Sequence, residues 1–205
     1  DVTFDVNGNT STGAKLSAFN FFMNNQTAAT ASMVGRFRNN VIGTTGAANS
    51  GSEQGDGVAF NTTGLGTLTT SVTGNVIRQF NNVGIIFNAG DTSPVVNATV
   101  TGNTIVGPGE EGITLADDDL GDVVVSGLDV RDNTVVVDGR RALALSATTI
   151  ANPPNPAYVA GLGAIDGNRY CGVLAEPRFR AQQPGTETVG LLGDWRQLSG
   201  YDQGS

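Results

Sequence analysis

An asparagine returns about every thirty residues along this chain, and that repeat limits the possible folds more than any other feature. Asn9, Asn40, Asn75, Asn103, Asn133 and Asn168 are separated by 31, 35, 28, 30 and 35 residues. Glycine precedes four of them (Gly8, Gly74, Gly102, Gly167). The other two follow Asn39 and Asp132, residue types that also tolerate tight-turn backbone angles. Three residues before each asparagine stands an apolar residue: Val6, Phe37, Val72, Val100, Val130 or Ile165. Two residues after it come Ile42, Ile77, Ile105, Val135 and Tyr170, while the first copy departs with Ser11.

A second apolar pair follows ten and twelve residues after the asparagine. It is Phe19 and Phe21, Ile85 and Phe87, Ile113 and Leu115, then Leu143 and Leu145. The second copy carries the pair at Val58 and Phe60, eight residues late, which places an insertion within the Gly/Ser/Thr stretch 43–57. Each unit therefore holds three short segments of alternating polarity, the pattern of strands. The segment Lys15 to Asn25 is the best helix candidate, and its register argues for a strand instead.

A thirty-residue unit with three short strands cannot bury its apolar face alone, whereas stacked units can. The expected fold is all-β: a right-handed parallel β-helix of five to six coils of ~30 residues, each strand pairing in parallel with its equivalent one coil away. At ~4.8 Å per coil the rod would be roughly 25–30 Å long. The asparagines are expected to take left-handed angles at a sharp corner and to hydrogen-bond from coil to coil. An antiparallel sandwich would leave the spacing a coincidence.

The Gly-Asn-Thr-Ile and Gly-Ile-x-Phe pattern over residues 1–175 resembles the right-handed parallel β-helix, or pectate-lyase-like, superfamily. That group includes polysaccharide lyases and hydrolases, phage tailspikes and bacterial surface adhesins, and the repeats here are closest in character to the adhesins. The resemblance is specific for fold and unspecific for activity. Beyond Ala175 the pattern stops, so residues 176–205 are expected to form an irregular C-terminal cap or tail. A cap is physically required because a last coil exposes unpaired strand edges. Val189, Leu191, Leu192 and Trp195 are the residues expected on that end. Asn152 to Pro156 reads as a rigid loop between coils.

Composition restricts function. The chain has no histidine, which removes the commonest general base and transition-metal ligand. Its single cysteine, Cys171, excludes an intrachain disulfide, and its apolar neighbours suggest a buried, inert thiol. The formal net charge is -8 with no basic cluster, so nucleic acid and anionic membranes are unsuited partners. No run approaches eighteen apolar residues, so no membrane span is expected. The chain opens inside a repeat unit, the expectation for a processed or excised segment.

What the resemblance implies for activity can be tested by residue type. Polygalacturonase-like hydrolysis uses aspartates with a nearby histidine, which this chain lacks. Lyase-like elimination uses calcium-binding acids and an arginine or lysine, which are present. A glycosidase needs two carboxyl groups at a set separation, and Glu53, Asp56, Glu110, Glu111 and the acids near Asp117 are the available ones. Aromatic platforms for sugars are scarce, with one Trp and three Tyr.

The densest acidic cluster is Asp117-Asp118-Asp119 with Asp122, and Asp91 shares the register of Asp119 one coil earlier. Stacked carboxylates repel unless solvated, protonated or bridged. Asp91, Asp117, Asp119 and Asp122 are thus candidate calcium ligands through their oxygens, although no calcium motif matches and a solvated acidic turn is the plainer reading. No cofactor is required by any pattern. Glu110-Glu111 and Arg140-Arg141 fall at equal offsets in neighbouring coils, as surface ion pairs between coils would. The threonine-rich strands do not repeat at one fixed offset, against an ice-binding array.

The functional expectation is architectural: an extracellular or cell-surface stalk, adhesin or fibre-like segment of bacterial type, without catalysis. Its contact face would be the variable loops Thr44–Asp56, Asp91–Val95 and Asp117–Asp122. Partners would be a glycan or a host or cell-surface protein, with self-association through the rod ends. The competing expectation is a polysaccharide-binding or polysaccharide-degrading protein.

Overall fold

The computed structural model describes residues 1–28, 30–90, 95–117, 124–137, 140–145, 162–172, 175–183 and 186–205. Its strands form three sheets. The first contains β1 (Val2–Asn7), β4 (Ser32–Arg38), β7 (Thr67–Thr73), β10 (Val95–Thr101), β13 (Val124–Arg131) and β16 (Leu162–Asp166). The second contains β2 (Thr10–Ser11), β5 (Val41–Ile42), β8 (Val76–Arg78), β11 (Thr104–Gly107), β14 (Thr134–Val137) and β17 (Arg169–Cys171). The third contains β3 (Phe19–Gln26), β6 (Val58–Gly64), β9 (Val83–Gly90), β12 (Glu111–Asp117), β15 (Arg141–Leu145) and β18 (Arg178–Gln183). Every strand in these sets pairs in parallel with the strand three places on, so three strands make one coil and six coils make a right-handed parallel β-helix. β19 (Thr186–Gly190) then folds back antiparallel on β18, and helix α1 (Leu192–Ser199) follows.

Sequence spacing becomes stacking. Val6, Phe37, Val72, Val100, Val130 and Ile165 pair in register along the first sheet. The displaced pair Val58 and Phe60 sits on Phe19 and Phe21, so the insertion of the second coil is spent before β6. Phe21, Phe60 and Phe87 stack face to face, with centroids 4.9 and 5.2 Å apart. Lys15 to Asn25 contributes β3 rather than a helix.

Strand starts in the third sheet are crowded. A side chain at Gly84 would put its Cβ 2.6 Å from the Gly112 carbonyl oxygen, and the coils could not approach. The Gly-Ile-x-Phe pattern records this need.

The asparagines form a ladder. Backbone N–H and Nδ2 of Asn75 both donate to Oδ1 of Asn103, at 3.0 and 2.9 Å. The same Nδ2 also reaches back to the Phe37 carbonyl, at 2.9 Å. Asn40, Asn103 and Asn133 repeat this geometry, and Asn40, Asn75, Asn103, Asn133 and Asn168 are all buried. The left-handed angle lies one residue earlier than expected. It belongs to Gly8, Asn39, Gly74, Gly102, Asp132 and Gly167, with φ between 54° and 69°. That residue turns the chain, which leaves the asparagine side chain free to stitch coils together.

Parallel stacking runs past Ala175, because β18 pairs with β15. The end of the rod is covered by Trp195, which is buried and stacks on Phe179 at 5.8 Å, and by Leu192. Leu191 does not take the covering role expected of it: it is 41% exposed at the N-cap of α1. The backbone of Val189 pairs with Arg180, and its side chain lies outside the described set.

Candidate functional site

Besides the asparagine ladder, two groups of polar residues along the side of the rod stand out among the described residues. The first is a column at the turn entering the third sheet. In the second coil Asp56 accepts hydrogen bonds from Ser17 Oγ of the first coil at 3.1 Å. It also accepts from Asn82 Nδ2 at 2.8 Å and from the Val83 N–H at 3.1 Å, both in the third coil. Burial pushes its carboxyl above the usual carboxylate range, and those donors pull it back only in part.

Further along the column, Glu111 Oε1 pairs with Arg141 at 2.9 Å and with Arg180 at 3.3 Å, spanning coils four to six. Thr114 Oγ1 donates to the other Glu111 oxygen. Glu111 is 5% exposed while Arg141 and Arg180 stay partly exposed, so a buried carboxylate is held by two half-buried cations, where the offsets suggested pairing at the surface. Arg180 was not legible as a member, because its register follows a shift between Arg141 and Leu143.

The second place is the inserted loop Thr44–Asp56. Its hydrogen bonds fasten it to the rod. Glu53 and Gln54 N–H groups donate to the Ala14 and Lys15 carbonyls at 2.8 and 3.0 Å, and Gly51 N–H donates to Gln79 at 3.2 Å. Ser50 Oγ closes the loop on Thr44 at 2.7 Å. Between loop and rod lies a hollow of about 290 Å³, lined by Gly13, Ala14, Ala48, Asn49, Ser50 and Glu53. It is near the lower size of small-ligand sites and is bordered by an exposed carboxylate, an amide and a hydroxyl.

Of the four candidate calcium ligands, Asp91, Asp119 and Asp122 lie outside the described residues, as do Asp118 and most of the two loops carrying them. The backbone of Asp117 ends β12 opposite Ala89. Among the described residues no group of three or more acids or thiols is placed to hold a metal ion. Cys171 is a free, half-buried thiol in β17, more open than its apolar neighbours suggested. No helix among the described residues is long and apolar enough to cross a membrane. No protein-family model, curated protein or solved structure matches the chain.

Proposed function

We propose that this chain is a structural and adhesive rod, working outside the cell or on its surface, with the Thr44–Asp56 side as its contact edge. The bacterial surface adhesins within the pectate-lyase-like superfamily are the nearest functional analogy. The reading is carried by how the acids are employed. A hydrolase or lyase would need a pair of carboxylates open to a substrate, and of the described candidates Glu53 and Glu110 are exposed, while Glu111 is held by two arginines and Asp56 by three donors from other coils. Glu111 and Asp56 join coil to coil, which is work for a scaffold. The inserted loop uses its backbone and the Ser50 hydroxyl to hold a fixed shape and presents Asn49 and Glu53 outward, groups suited to hydroxyl-rich glycans or a polar protein surface. Calcium at Asp91, Asp117, Asp119 and Asp122 would brace the neighbouring loops through oxygen ligands.

The test is binding measured beside cleavage on the same glycan panel, with calcium and with a chelator. The expected result is retention of one glycan class without new reducing or unsaturated ends, weakened by Glu53→Ala and Asn49→Ala. Product release that vanishes in Glu53→Gln or Asp56→Asn would replace the adhesive reading with the enzymatic one.

A further inference from the structure

Arginines far apart in the sequence meet on the third sheet. Arg141 opens β15 with Arg140 just before it, and Arg178 and Arg180 lie on β18, one coil further on. Arg141 pairs in register with Arg178, and the Arg178 N–H donates to the Arg140 carbonyl at 2.9 Å. Arg178 and Arg180 flank the buried Phe179, so both side chains leave the sheet on its outer face. Four of the chain's 11 basic residues thus stand on two neighbouring strands, although the net charge is -8.

Their acceptors do not match them. On Asp5, Arg38 uses the fork of Nε and Nη2 on both carboxylate oxygens, at 3.1 and 2.8 Å. On Arg180 the same fork is half filled. Nη2 shares Glu111 Oε1 with Arg141, at 3.3 Å, while Nε is buried and has no acceptor. Arg140 and Arg178 are exposed, and neither pairs with an acid among the described residues. Glu110 and Glu176 are exposed nearby in the chain, and they too form no ion pair among the described residues. Like charges in register on neighbouring strands repel, a cost that an added anion would relieve.

We infer that Arg140, Arg178 and Arg180 form a binding site for a sulfate ester carried on an otherwise neutral glycan. The site belongs to coils five and six, apart from the Thr44–Asp56 loop of coil two, and goes beyond the function proposed for that edge. Three features of the patch select this ligand. An ester sulfate offers three free oxygens to three guanidinium groups, where a carboxylate offers two. Its charge is single and local. A densely charged polymer would run on into the acids of a chain at -8 and be repelled, whereas one sulfate on a neutral sugar chain would not. Finally, Arg180 keeps 19% of its side chain exposed. By turning its outer end to the ligand it gives Nε the acceptor it lacks.

The experiment is calorimetric titration with four probes: a singly sulfated galactan oligosaccharide, its desulfated parent, the parent carrying a phosphate ester instead, and an oligogalacturonate. The proteins are the wild type, Arg178→Ala, Arg180→Lys and Glu53→Ala, with folding checked by circular dichroism. The wild type is expected to bind the sulfated probe at least about tenfold more tightly than the desulfated parent. Arg178→Ala removes an exposed guanidinium that pairs with no acid, and is expected to weaken that binding about tenfold. Arg180→Lys keeps a cation for Glu111 but has no fork, and is expected to weaken it similarly. Glu53→Ala is expected to leave it unchanged, which separates this site from the inserted loop. No binding of the sulfated probe, equal binding of the desulfated parent, or an affinity unmoved by Arg178→Ala and Arg180→Lys would each overturn the proposal. So would tighter binding of the phosphate ester or of the oligogalacturonate.

Discussion

The first and sixth coils treat the asparagine ladder differently. At the C-terminal end the ladder stops on Asp202, which is fully buried. Its Oδ1 accepts from Asn168 Nδ2 at 3.0 Å and from Ser205 Oγ at 2.6 Å. Its Oδ2 accepts from the Tyr170 hydroxyl at 3.0 Å and from Trp195 Nε1 at 2.9 Å. At the N-terminal end Asn9 simply begins the ladder, with an exposed side chain. The difference follows from the polarity of the bonds. Each asparagine accepts from the coil before and donates to the coil after, so the last coil has donors left over and the first has an acceptor left over. A carboxylate accepts without donating onward, and Asp202 therefore ends the series where another asparagine would have passed the problem along. Burial, with this carboxylate alongside, pushes the Tyr170 hydroxyl well above the usual phenol range.

The sharpest way to break this contrast is to open the closed end. Asp202→Ala strands four buried or half-buried donors, and the C-terminal coil is expected to lose about 3 kcal/mol or more. Contacts in a solenoid run only between neighbours, so the loss should appear as faster hydrogen exchange in β16 and β17 before the first coils respond. Asp202→Asn keeps an acceptor for Asn168 but turns an N–H2 toward Trp195, and should cost less. Unchanged exchange in Asp202→Ala would mean that the apolar cover of Trp195 and Leu192 closes the end by itself.

The next contrast compares the middle of the ladder with its open start. Asn103→Ala removes the acceptor for the Asn75 N–H and Nδ2 and the donor for the Val72 carbonyl, all in buried surroundings. Chemical unfolding should register a loss of about 2–4 kcal/mol. Asn9→Ala keeps the backbone bond from residue 9 to Asn40 Oδ1 and should cost less than about 1 kcal/mol. Equal losses at the two sites would argue that corner geometry, rather than stitching between coils, is what the asparagines supply. A smaller effect of opposite sign is expected at Thr70. Its inward hydroxyl finds no partner among the described residues, and Thr70→Val should stabilise the core by up to about 1 kcal/mol.

The coil-to-coil registers were legible because a repeat constrains each copy through the others. Eight displaced residues before Val58 were located by the same logic. The Asn ladder was legible as a position, but its mechanism was not, because only the structure separates the turning residue from the stitching one. Asp202 was invisible: it follows Tyr201 instead of a glycine, lies beyond the last apolar repeat and is an acid rather than an amide. The Glu111 triad was half visible. Equal offsets matched Glu111 to Arg141, while Arg180 enters only after the strand register shifts.

The smallest expected effect concerns the carboxylate that braces the first three coils. Asp56 ties coils one, two and three together, as Asp202 closes coil six, but it remains half-exposed. Burial raises its carboxyl above the unfolded value, so the folded state holds its proton at a pH where the unfolded chain has released it. The stability this contributes is fully present below the unfolded carboxyl range and is lost as pH rises through the folded value. Asp56→Asn cannot titrate, yet its Oδ1 can still accept from Asn82 and Val83 while its Nδ2 donates to Ser17 Oγ. Across that window the wild type should lose stability relative to Asp56→Asn as pH rises, a difference readable from paired unfolding curves at each pH. Parallel curves would show that the three donors, rather than burial, set the charge state at this end. The first three coils would then be braced by an ionised carboxylate, much as the sixth is finished by an acceptor.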